Sequence, residues 1–166
     1  SNNAVLSYHY TEIDLETLLY SRTSFGETDP TRIRNVIWCG SFIDRKNPEF
    51  AVKAALYTCS IDPDIEFTFV GEGPLLSHCK DLALVTAHKD RLHFLTFMPR
   101  KKFLDMLPQY DIAFVTSWRE VNSVFIFEAI SQGLLIVAPD LSGMRDLQGP
   151  LFKKYDVGPL GVMLAA

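Results

Sequence analysis

The chain has 166 residues, of which 48% are apolar, with sixteen basic against twenty acidic side chains for a net charge of −4. That is enough for one domain with a full core, and the mild acidity argues against nucleic acid or an anionic membrane as a main partner. No apolar run approaches the roughly 18 residues of a membrane span, no signal-peptide pattern opens the chain, and Cys39, Cys59 and Cys79 are too widely spaced for a disulfide framework or a zinc site, which fits a reduced cytoplasmic compartment.

Taken in chain order, Val5 to Tyr8 reads as a strand, a short helix follows near Leu15 to Tyr20, and 21–35 is a polar connection. Five compact apolar runs come next: Val36-Ile37-Trp38-Cys39, Phe67-Thr68-Phe69-Val70, Leu92-His93-Phe94-Leu95, Ile112-Ala113-Phe114-Val115 and Leu134-Leu135-Ile136-Val137. Runs apolar on both faces are the mark of buried parallel strands. Helical stretches separate them at 48–60, 74–87, 100–107 and 123–132, with Pro48 and Pro74 suited to first-turn positions and Pro99 preceding its helix. Gly161-Val162-Met163-Leu164 reads as a last strand with no helix after it. The alternation predicts an α/β fold, a doubly wound parallel sheet of Rossmann-like type. Residues 1–166 read as a single domain excised from a longer protein.

Ligands of such sheets bind outside the carboxyl ends of the strands. Chemistry-bearing residues gather at those ends: Gly40-Ser41 after the first run, Gly71-Glu72-Gly73 after the second, Met98 after the third, Thr116 to Glu120 after the fourth and Asp140-Leu141-Ser142-Gly143 after the fifth. The most informative stretch is Arg119-Glu120-Val121-Asn122-Ser123-Val124-Phe125-Ile126-Phe127-Glu128-Ala129, closed by Gly133. Glu128 stands inside an otherwise apolar helix, where an unpaired buried carboxylate costs several kcal/mol, roughly. A polar ligand or another donor facing that part of the helix removes the difficulty.

Two glutamates eight positions apart across a strand-loop-helix junction resemble the paired-glutamate motif of the GT-B glycosyltransferases, in particular retaining family 4, the glycosyl transferases group 1. The resemblance runs from about Ile13 to Leu164 and covers the C-terminal, donor-binding half of a two-domain enzyme. It implies transfer of a sugar from a nucleoside diphosphate sugar to a saccharide or lipid acceptor with retained configuration, with no metal and no cofactor. It also implies an N-terminal acceptor half outside this sequence, through which any contact with the inner membrane face would be made. In the family the first glutamate touches the sugar, which falls to Glu120, and the second binds ribose hydroxyls, which falls to Glu128. Loop amides at the helix start hold the diphosphate, at Asn122, Ser123 and Val124. A helix N-terminus suits an anion, and carboxylates accept strongly from hydroxyls.

Gly40-Ser41-Phe42-Ile43-Asp44-Arg45-Lys46-Asn47 resembles a second family element, whose arginine and lysine grip the diphosphate. Lys46 holds the lysine position, whereas Ser41 stands where the arginine belongs, and Arg45 is the nearby cation that could substitute. Lys46 and Glu120 are thus the candidate catalytic residues. Gly71 and Gly73 resemble the family's second strand end, and Met98 falls where it places the nucleobase. The loop at 121–123 lacks the family's glycines, and Gly143 alone survives of its later glycine pair.

Other signals have bland readings. Asp62-Pro63-Asp64 precedes a strand and reads as a turn. His78-Cys79 lacks metal-ligand spacing, and no Gly-x-Ser-x-Gly elbow supports a hydrolase. Two rivals keep a place beside the resemblance: a degenerate GT-B domain with a scaffolding role, and an unrelated flavodoxin-like binder of a small ligand.

Overall fold

The computed structural model describes residues 33–119, 123–140 and 152–155. Six parallel strands form one sheet in the order β3-β2-β1-β4-β5-β6. The strands are β1 (Asn35–Cys39), β2 (Glu66–Val70), β3 (Leu92–Leu95), β4 (Ile112–Phe114), β5 (Leu135–Pro139) and β6 (Phe152–Tyr155). The helices are α1 (Pro48–Ile61), α2 (Leu76–Leu84), α3 (Arg100–Met106) and α4 (Val124–Ser131).

Period-two alternation divides the core between two faces. Val36 and Trp38 of β1 join Phe67, Phe69 and Phe114 beneath α1 and α2, which contribute Ala51, Val52, Ala55, Cys59, Cys79 and Ala83. This face is aromatic, with Trp38 5.0 Å from Phe42 and Phe69 stacked 5.1 Å from Phe94. Ile37, Val70, Ala113, Val115 and Ile136 point to the opposite face, where Phe103 and Leu107 of the α3 segment and Ile126 and Ala129 of α4 cover them. Helices therefore lie on both faces, as the alternation of runs implied.

Local chemistry explains the element ends. Asn47 adopts a left-handed conformation (φ 51°) that turns the chain into α1, and Pro48 supplies its first position. Gly133, at φ 73°, ends α4, its N–H donating to Ile130 O at 2.8 Å. Asp62 and Asp64 form the expected turn, with Asp64 N–H donating to Asp62 Oδ1 at 2.9 Å. Helix α2 starts later than its sequence suggests. The Leu75 N–H donates to Phe42 O and the Leu76 N–H to Gly73 O, so Pro74 belongs to a turn.

Strand β6, Phe-Lys-Lys-Tyr, is not apparent in the sequence. It is the outermost of the described strands, where exposed lysines are compatible with pairing on one side only. The strands expected at Val5 to Tyr8 and Gly161 to Leu164, and the helix near Leu15 to Tyr20, lie outside the described residues. Among the described residues, no helix is long and apolar enough to cross a membrane.

Candidate functional site

Strand order reverses between β1 and β4, and a ligand crevice is expected beyond the strand ends at such a point. A cleft of about 390 Å³ opens there. The end of β1 and its loop give it Cys39, Gly40, Ser41 and Lys46. The β3–α3 connection gives Phe97 and Met98, the start of α3 gives Arg100, and α4 with its N-cap gives Ser123, Val124 and Glu128. Val70, Phe103 and Phe125 complete an apolar wall.

The Lys46 wall is knit by backbone. Gly40 N–H donates to Val70 O at 3.0 Å, Phe42 N–H to Glu72 O at 2.8 Å, and Leu75 N–H to Phe42 O at 3.0 Å. Gly71 and Gly73 make this possible. A Cβ on Gly71 (φ 155°) would stand 1.9 Å from Gly40 O, and one on Gly73 (φ 148°) would stand 2.7 Å from Phe42 O. Their close approach is thus to the neighbouring loop, and neither is among the residues lining the cleft.

A buried relay then fixes Lys46. The indole Nε1–H of Trp38 donates to Thr116 Oγ1 at 2.8 Å, and the Thr116 hydroxyl donates to Lys46 O at 2.7 Å. The Trp118 N–H donates to Arg45 O at 3.0 Å, and Arg45 Nη1–H to Arg119 O at 3.3 Å. Arg45 is exposed and ties two loops together outside the cleft, so the structure does not bring it to the position left by Ser41. Ser41 itself lines the cleft, half-buried.

The facing wall is the first turn and a half of α4. Ser123 is its N-cap, in extended conformation, and makes no side-chain capping bond. The first N–H groups of a helix have no intrahelical partner, and they carry the positive end of its dipole. Glu128 lies along the same helix with only 8% of its side chain exposed. Its Oε1 accepts from Arg100 Nε at 2.9 Å. Arg100 reaches in from the start of α3 and is 43% exposed, so its charge stays partly solvated. Burial raises the Glu128 pKa above the usual carboxylate range, opposed by the Arg100 charge and hydrogen bond. Beneath them burial, with the Glu128 charge adding, pushes the Cys39 thiol up to about 12, so it stays neutral.

Of the residues singled out in the sequence, Gly40, Ser41, Lys46, Met98, Ser123, Val124 and Glu128 converge on this cleft. Glu120 and Asn122 lie outside the described residues, as does Gly143. Sequence reasoning missed Cys39 and the Trp38–Thr116–Lys46 relay. It put residue 100 at the start of the third helical stretch without seeing that Arg100 pairs with Glu128. A cation just after a proline that starts a helix was the only available signal. Among the described residues no cluster of three or more His, Cys, Asp or Glu side chains could hold a metal ion.

Comparison with known proteins agrees with this geometry. The family described as glycosyl transferases group 1 matches residues 25–158. The uncharacterised glycosyltransferase YqgM of Bacillus subtilis is 31% identical over 107 residues, 64% of this chain and 30% of that protein. The GPI3 subunit of phosphatidylinositol N-acetylglucosaminyltransferase from Saccharomyces cerevisiae is 26% identical over 112 residues, 68% of this chain and 25% of that protein. The chain thus spans 30% or less of the length of these relatives. Two solved structures share the fold. One is the pneumococcal O-GlcNAc transferase GtfA in complex with UDP and GlcNAc, with TM-score 0.66, 17% identity, and coverage of 83% of this chain and 28% of that one. The other is the C-terminal domain of the group 1 glycosyl transferase LpcC from Francisella tularensis, with TM-score 0.61, 19% identity, and coverage of 81% and 74%.

Proposed function

We propose that this chain, which belongs to the glycosyl transferases group 1 family and has the Rossmann-like GT-B architecture, binds the nucleoside diphosphate sugar of a retaining, metal-independent glycosyltransferase. The observation that carries the reading is the meeting of Lys46, the α4 N-terminus and Glu128 on one cleft at the switch point of the sheet. Lys46 and the helix end stabilise the negative charge that grows on the departing diphosphate, which is electrostatic rather than covalent catalysis. The Phe97 and Met98 wall takes the base, and Glu128 accepts from the ribose. Glu120 positions the sugar. The acceptor is a saccharide or lipid bound by an N-terminal half outside this sequence, which also makes any membrane contact. The site needs no cofactor, and the setting is cytoplasmic.

The test is calorimetric titration of the chain, joined to its N-terminal half, with UDP, GDP and ADP. One nucleotide should bind in preference, and transfer from its sugar should survive chelator and give a product of retained configuration. An inverted product or loss of activity with chelator overturns the corresponding part of the mechanism. A second reading, a scaffold of the same fold without chemistry, draws on Ser41 in place of the family's arginine. It requires that no nucleoside diphosphate bind to the joined protein.

A further inference from the structure

We propose that Arg100 is a positioning residue, which holds one oxygen of Glu128 so that the other presents a fixed acceptor to the ribose hydroxyls of the donor. This deepens the donor-site reading and rests on it. The geometry is specific. The guanidinium enters from α3, on a different element from the carboxylate it binds, and both line the cleft. Oε1 is taken by the Nε–H at 2.9 Å. Among the described residues Oε2 accepts no hydrogen bond, although the side chain is more than nine-tenths buried. A buried acceptor without a donor is costly, so a ligand hydroxyl at Oε2 gains more than the same bond would in water.

Arg100 also decides whether Glu128 is an acceptor at all. A carboxylate accepts with both oxygens, whereas a carboxylic acid keeps a proton on one of them. Burial favours the acid form, and Arg100 opposes it. Among the described residues the other ionisable groups at the cleft are Cys39, at the end of β1 and neutral, and Lys46, in the loop after it. Without Arg100, Glu128 takes up a proton at higher pH, and the donor site loses its preference for ribose.

Three variants of the joined protein test this, each with two readouts. The first is the carboxyl carbon NMR signal of Glu128 without ligand, followed from about pH 5 to about 9. The second is the affinity ratio between a nucleoside diphosphate and its 2′- and 3′-deoxy forms. In Arg100→Met the carboxyl midpoint should move up, and the larger deoxy discrimination should fall about tenfold, equivalent to ~1.4 kcal/mol. Arg100→Lys should restore the midpoint but only part of the discrimination, because lysine lacks the fixed fork. Glu128→Gln should lose the discrimination at every pH. An unmoved midpoint in Arg100→Met, or a ribose preference that survives it, overturns the inference. If the wild-type protein binds no nucleoside diphosphate, the donor-site reading falls and takes the ribose role of Glu128 with it. The NMR titration then still decides whether Arg100 holds the carboxylate.

Discussion

The two walls of the cleft are built in different ways. The wall that carries Lys46 is a backbone structure, in which the loops after β1 and β2 exchange main-chain hydrogen bonds and glycines allow them to touch. The wall that carries Glu128 is a short apolar helix, and among the described residues its buried charge is held by one side chain from another element. The first wall therefore presents its cation as a consequence of folding, whereas the second presents its carboxylate through a pairing that one substitution can remove.

Substitutions on either wall sharpen that contrast. Gly71→Ala should have the largest effect, because its Cβ would meet Gly40 O at 1.9 Å, and backbone cannot move aside as a flexible side chain can. A loss of about 3 kcal/mol in urea unfolding is expected, the upper range for backbone strain. An unchanged midpoint would show that the two loops are not locked together.

Lys46→Ala should weaken binding of the preferred nucleoside diphosphate by about 1.5–3 kcal/mol, the range for hydrogen bonds to charged groups. Its effect on unfolding should be slight, since the Lys46 carbonyl that anchors the loop is retained. Equal affinity for the variant in calorimetry would remove Lys46 from the site. The complementary Ser41→Arg should tighten binding, because it restores a fork at the position where the family carries arginine.

Thr116→Val is a smaller test of the same wall. It removes the hydroxyl between Trp38 Nε1 and Lys46 O, and leaves the indole N–H buried without that partner. A stability loss of about 1–2 kcal/mol is expected, with a parallel fall in nucleotide affinity. Lost stability with full affinity would mean that the relay supports the core but does not position Lys46.

Glu128→Gln should change stability little, within about 1 kcal/mol at neutral pH. It removes a buried charge, and the Arg100 guanidinium beside it is 43% exposed. The pH dependence has a definite sign. The folded pKa of Glu128 lies above its unfolded value, so the native state binds the proton more tightly. The stabilising contribution is fully present below the unfolded pKa and is lost as pH rises through the folded one. Wild type should therefore gain on Glu128→Gln as pH falls from neutral towards about 4. The opposite slope in paired urea titrations would show that the Arg100 pairing outweighs burial.

The relation of sequence to structure follows the same division. Five of the six described strands, from Val36 to Val137, are visible as apolar runs: four are flanked on both sides and have no polar side to show, and β3, at one end of the sheet, keeps an apolar run although His93 and Leu95 are exposed. The sixth, Phe152–Tyr155, is hidden because an edge strand with two lysines carries no such run. Glu128 stood out because a carboxylate in an apolar helix has no cheap local explanation. Its partner could not be read in the same way, since Arg100 is separated from it by 28 residues and meets it only when α3 and α4 cover the same face.

The sequence alone determined the strand-helix alternation, the end of the sheet where chemistry gathers, and Lys46 and Glu128 as its charged residues. The first two follow from periodicity and Glu128 from the cost of a misplaced charge, which are local properties, whereas Lys46 was singled out by its place in a segment that resembles the family's. Tertiary structure alone decided that Gly71 and Gly73 serve loop packing, that Arg45 faces away while Ser41 lines the cleft, and that Thr116 and Arg100 anchor its two walls. Each of those facts is a contact between distant parts of the chain. It exists only once the sheet order β3-β2-β1-β4-β5-β6 has brought the ends of β1 and β4 together.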